Sequence, residues 1–79
     1  MKYRIEMQPL AGRHVVALKD IRTGDLVKVL AVNVSSAEII RLFRDGFDIH
    51  AIVDALHQKY DVPEEQLHAD VEALLKILF

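Results

Sequence analysis

An α+β domain is the fold class this sequence predicts, with three antiparallel strands followed by three helices in a winged-helix-like order. Three observations carry that expectation. Short β-branched and alternating apolar segments fill residues 3 to 33, and from residue 35 the apolar spacing changes to threes and fours. Turn-forming residues, Gly12, Gly24 and Gly46 among them, fall between the segments. At 79 residues and 52% hydrophobic content the chain suits a single domain over 1–79 with one modest core.

Residues 3–7 alternate, with Tyr3, Ile5 and Met7 on one side and Arg4 and Glu6 on the other. That is a half-buried strand, which Gln8-Pro9 is expected to end. His14-Val15-Val16-Ala17-Leu18 is the second strand, bounded by Gly12. The polar stretch 19–25, carrying Gly24, reads as a hairpin loop. Residues 26–33 form the third strand, apolar on both faces except at Lys28. A meander in the order 1-2-3 is the simplest joining, and it leaves the third strand at an edge.

Ser35 and Glu38 have the spacing of a capping box that starts the first helix, and Val34 with Ile39 would form its hydrophobic staple. Gly46 after Asp45 is the expected stop. Asp48 then caps a second helix with the stripe Ile49, Ile52, Val53, Leu56 and Tyr60. Pro63 suits the first position of a third helix, and Glu64 and Glu65 favour its positive N-terminal end. The stripe of that helix is Leu67, Val71, Leu74 and Leu78.

Composition excludes several function classes. The net charge is −2, and the isoelectric point near 6.0 argues against a surface built for phosphate backbones. Without cysteine there is no disulfide framework, thiolate zinc site or cysteine nucleophile. The longest apolar runs, Val15–Leu18 and Val29–Val32, fall far short of the roughly 20 residues of a membrane span. The N-terminal residues lack a signal-peptide apolar region, so a cytoplasmic location is expected. Charge is uneven: residues 1–44 hold eight Lys and Arg against four acids, and residues 45–79 hold two against eight. The helical half is therefore acidic, which suits a solvated helix surface or a basic partner.

Catalytic constellations are nearly absent. His50, Asp54 and His57 share a flank of the second helix, an arrangement that could hold a divalent metal only with further ligands. His68 and Asp70 fall on different faces, and His14 sits in a strand. Ser35 and Ser36 are accounted for by capping, and Gly12 and Gly24 are isolated rather than part of a phosphate-cradling loop. No enzyme, metal or cofactor is expected. A winged helix raises DNA binding as an alternative. Its recognition helix would present Glu64, Glu65, Gln66, His68, Asp70, Glu72 and Lys76, a set that repels a polyanion.

The ordered set of segments resembles the PqqD-like family, proteins of coenzyme PQQ (pyrroloquinoline quinone) synthesis. Val32-Asn33-Val34-Ser35-Ser36-Ala37-Glu38-Ile39-Ile40 is similar to the family's strand-to-helix passage, and Asp45-Gly46 stands at its Asp-Gly turn. Ile49 to Leu56 matches the short second helix. Tyr60-Asp61-Val62-Pro63-Glu64-Glu65 with Ala69-Asp70-Val71-Glu72-Ala73-Leu74 is similar in residues and spacing to the passage that follows it. Asp48 stands where the family usually has Thr or Ser, and Ile40-Arg41-Leu42-Phe43 where a Trp often occurs.

The resemblance implies a non-catalytic peptide chaperone, a recognition element for ribosomally made precursor peptides. The leader of the precursor would add as a strand and be presented to a radical S-adenosylmethionine or other peptide-modifying enzyme. Nucleic acid and membrane are not among the implied partners, and a homodimer remains an open state. Strand addition suits the third strand, which has one charge and no proline. The expected peptide-binding residues are Val27, Val29 and Ala31 on that strand, with Val71, Leu75 and Ile77 on the third helix as the other wall of a groove. Leu75 and Ile77 lie on opposite flanks of the helical stripe, and either could face the peptide. A small interaction domain that oligomerises through its strand edge is a further alternative.

Overall fold

The computed structural model describes residues 2–79. Its elements run β1 (Tyr3–Leu10), β2 (Arg13–Asp20), β3 (Leu26–Val32), α1 (Val34–Arg44), α2 (Ile49–His57) and α3 (Glu64–Leu78). Sheet then helices is the α+β order that the sequence predicts. The chain divides into two compact units, one ending at Ala37 and the other running from Glu38 to Phe79.

In the first unit the sheet has the order β1-β2-β3, and both pairings are antiparallel. Ala11 and Gly12 join β1 to β2 with φ of 50° and 79°. Positive φ at both central residues makes a two-residue turn whose twist matches the strands it joins, and Gly12 takes that conformation without strain. The β1 strand outruns the alternation that predicts it, since Pro9 lies inside it opposite His14. An edge strand can accept a proline because one side of its backbone has no ladder to complete. The β2–β3 loop is held by Asp20, whose Oδ1 accepts from the Arg22 amide at 2.8 Å and the Thr23 amide at 3.2 Å. The register then slips: Leu18 faces Lys28 while Lys19 faces Leu26, so Val27 is the surplus residue of a bulge. Ile5, Val16, Leu18 and Val32 are the buried residues of the sheet.

The start of α1 departs from the expected capping box. Asn33, not Ser35, caps the helix: its Oδ1 accepts from the Ser36 amide at 2.8 Å and from the Ser35 hydroxyl at 3.0 Å. Its carbonyl takes the first helical bond, from Ala37 N–H at 2.9 Å. The staple moves with the cap. Val34 is 60% exposed, whereas Val32 and Ala37, at the positions before the cap and four after it, are buried. Asparagine is as good a cap as serine, so two adjacent sequence signals compete, and the one contiguous with the end of β3 wins.

In the second unit α1 ends as expected at Gly46 (φ 98°). The Gly46 amide donates to the Phe43 carbonyl and the Phe47 amide to the Leu42 carbonyl, both at 3.1 Å. This double bond pattern closes a helix on a left-handed residue. Asp48 caps α2 through its Oδ1, which accepts from the Ala51 amide at 2.9 Å. Pro63 sits one position earlier than expected, at the N-cap of α3, where no side-chain bond forms. Ile39, Ile52, Val53, Leu56, Leu67 and Val71 make the core of this unit, with Leu42, Phe43, Ile49, Tyr60, Leu74 and Leu75 packed around it. Each fully buried aliphatic side chain of this set contributes about 1.5–3 kcal/mol.

Candidate functional site

The β3 strand is the last of the sheet, so only one side of its backbone faces a neighbouring strand. Side chains opposite one another across the ladder share a face. Lys28 therefore lies on the face of Leu18 and Ile5, the buried face of the sheet. Val29 lies on the other face with Ala17 and Glu6, and Ala31 lies there with Val15 and Gln8. That outer face is graded: polar at β1, where Glu6 pairs with Lys19 at 3.1 Å, and apolar at β3. Val27 and Val29 are 50% and 51% exposed, Leu26 is 58% exposed, and Ala31 is also exposed. Such an edge offers main-chain donors and acceptors flanked by β-branched side chains, the arrangement into which an extended chain pairs.

The three residues expected on the third helix have unequal surroundings. Val71 is fully buried in the core of the second unit, so it presents no surface and instead holds α3 in place. Leu75 is half-buried and lines a concavity of about 420 Å³ with Ile49, Glu72, Lys76 and Phe79. Ile77 is 60% exposed. The Phe79 ring stands 5.1 Å from that of Phe43, a tilted pair within the range of favourable aromatic contact.

Two side-chain groups in the second unit have no local sequence signal. Glu38 accepts from Lys59 Nζ at 2.8 Å and from the Tyr60 hydroxyl at 3.1 Å. The Lys59 hydrogen bond holds the Glu38 carboxyl below its ordinary range; desolvation opposes that shift, and the Tyr60 bond reinforces it. The same partnership raises Lys59. Glu38 thus ties α1 to the α2–α3 connection rather than reaching back to a cap. The second group is His50 on α2 and His68 on α3, with ring centroids 5.9 Å apart. On the helical flank of His50, Asp54 and His57, the His57 Nδ1–H donates to the Val62 carbonyl at 3.1 Å. Among the described residues no three His, Asp or Glu side chains cluster closely enough to enclose a metal. No helix of the described residues is long and apolar enough to cross a membrane.

Three comparisons bear on the fold and family. The family model described as coenzyme PQQ synthesis protein D (PqqD) matches residues 15–79. No curated protein sequence matches the chain. Two solved structures share its fold. TbiB1, in complex with the TbiA(beta) leader peptide, superposes with a TM-score of 0.72 at 21% identity, covering 99% of this chain and 87% of the other. A lasso peptide synthetase B1, complexed with the leader peptide, gives 0.70 at 22% identity, covering 99% and 91%.

Proposed function

We propose that this chain, which belongs to the PqqD family, is a non-catalytic recognition element that binds the leader of a ribosomally made precursor peptide. The observation that carries the reading is the β3 edge, open on one side and apolar along its outer face at Val27, Val29 and Ala31. The leader adds there as a further strand: main-chain hydrogen bonds supply affinity, and contacts to alternate side chains supply specificity. Two relatives of the same fold hold leader peptides, which supports the proposal. Leu75 and Ile77 are separate candidate contacts on α3, and Val71 acts only by keeping that helix packed. Residues 1–79 serve as one recognition domain, and its further partner is a peptide-modifying enzyme, of which a radical S-adenosylmethionine enzyme is one class. A DNA-binding role is not favoured, because the exposed surface of α3 carries Glu64, Glu65 and Asp70.

The test is a titration of the isotope-labelled protein with synthetic leader peptides taken from short reading frames beside its gene, followed by amide NMR. Saturable shifts concentrated on residues 26–33 are expected. Shifts confined to α1, or none with any neighbouring peptide, would overturn the reading.

A further inference from the structure

We infer that, without a peptide, the β3 edge pairs with the β3 edge of a second copy of this chain, antiparallel and centred on Val29, so that self-pairing and leader addition exclude each other. The exclusion rests on the leader-binding reading above, whereas the self-pairing rests on β3 alone. A strand beside a copy of itself makes a two-fold contact, in which residues equally far from the centre on either side meet. The strand has seven residues, Leu26–Val32, and Val29 is its midpoint. Pairing about Val29 therefore engages the whole strand of both copies and leaves the Val27 bulge near each end of the paired stretch.

Side-chain chemistry selects the same register. Val29 meets Val29 of the second copy, Val27 meets Ala31, Leu26 meets Val32 and Lys28 meets Leu30. A slip of one residue joins the outer face of one sheet to the inner face of the other. A slip of two either sets Lys28 against Lys28 of the second copy, which is destabilising, or leaves Leu26 and Val27 unpaired. The Val29 register alone joins the exposed Val27, Val29 and Ala31 of both copies into one apolar face along the full strand. The contact is reversible. One strand pair stays below the roughly 1,200 Å² of a stable interface. Residues 1–37 also carry six Lys and Arg against three acids, a like charge on both copies that repels at low salt. That weakness lets a leader displace the second copy, and self-pairing meanwhile covers an edge that invites aggregation.

The chain has no cysteine, so single introduced thiols report the register. In Val29→Cys the two thiols stand directly opposite, within the Cα separation that a disulfide spans. In Val27→Cys and Ala31→Cys each thiol lies about 13 Å along the strand from its own copy, out of reach. Mild oxidation, read on non-reducing gels, should give the disulfide dimer at least about tenfold faster for Val29→Cys than for the other two. An equal mixture of Val27→Cys with Ala31→Cys should give the mixed dimer. The wild type should show amide shifts on residues 26–32 that grow with protein concentration, and more dimer in sedimentation at high salt than at low. The oxidised Val29→Cys dimer should lose leader binding and recover it on reduction. Equal crosslinking at the three positions, no crosslinking at any of them, or a leader that binds the oxidised dimer as tightly as the reduced chain would overturn the inference. Crosslinking needs no peptide, so its failure leaves the leader-binding proposal standing, and the failure of every leader to bind leaves the crosslinking pattern to decide the self-pairing.

Discussion

The sheet has two edges, and they are built differently. The β1 edge carries Pro9, which removes a donor, and the charged residues Arg4 and Glu6 on its outer face. The β3 edge carries no proline, and its outer face is Val27, Val29 and Ala31, with the single charge, Lys28, on the opposite face. Proteins guard exposed edges with proline, charge and bulges. Here the guards are concentrated on one edge, and the other retains only the Val27 bulge and the exposed Lys28. Two edges of one small sheet thus face the same solvent with opposite readiness to pair, which is expected when one of them is a binding surface rather than a boundary.

The sharpest way to break this contrast is proline. Adjacent residues of a strand point their N–H groups to opposite sides, so Lys28→Pro and Val29→Pro must differ. One of them breaks the β2–β3 ladder and unfolds the sheet. The other removes only an outward donor, keeps the circular dichroism spectrum and weakens leader binding at least about tenfold. Pro9→Val on the β1 edge should leave binding unchanged. Equal losses at both edges, measured by calorimetry, would mean that the peptide does not distinguish them.

Charge gives the next largest effect. Val29→Lys places an ammonium on the outer face without disturbing a buried residue, and binding should fall by about 1–2 kcal/mol if an apolar leader side chain lies there. Leu75→Asp and Ile77→Asp test α3 in the same way, and the variant that loses affinity while remaining folded identifies the flank that takes part. If both α3 variants bind normally, β3 alone carries recognition.

Smaller effects follow from the residues that hold the elements in place. Asn33→Ala should cost about 1 kcal/mol, a drop of roughly 4–8 °C in melting temperature for a domain of this size. Ser35→Ala, which removes only a hydroxyl donor to Asn33, should cost a fraction of that. The reverse order in calorimetry would restore the capping box at Ser35. The smallest effect is pH-dependent. Because Glu38 titrates below its ordinary value in the folded chain, its stabilising contribution is complete above the unfolded carboxyl pKa. It is lost as the pH falls through the lowered folded value. Denaturant unfolding of the Glu38→Gln variant should therefore show a deficit at pH 7 that closes towards pH 3, and a deficit independent of pH would contradict the Lys59 partnership.

Much of this architecture was legible along the chain. Period-two alternation, stripes of threes and fours, Asp48 as a cap and Gly46 as a stop are local signals, and the six elements formed in the order these signals give. The errors were also local. Asn33 and Ser35 are both good caps within two residues of each other, and Pro9 resembles a strand end until the strand is known to be an edge. The surroundings of the residues expected at the site were legible only in part. The exposure of Val27, Val29 and Ala31 follows from the edge that a 1-2-3 meander creates, whereas the burial of Val71 follows from its stripe and argues against the contact role expected for it.

What the sequence by itself determined is the set of elements, their order and their apolar faces, because helix and strand periodicities, caps and turns act over a few residues. What only the tertiary structure decided is which distant side chains meet. Glu38 finds Lys59 and Tyr60 more than twenty positions away, and His50 finds His68 rather than Asp54 or His57. The packing of α2 on α3 sets that pairing, since the position of one helix against another depends on how whole faces fit and not on any short motif.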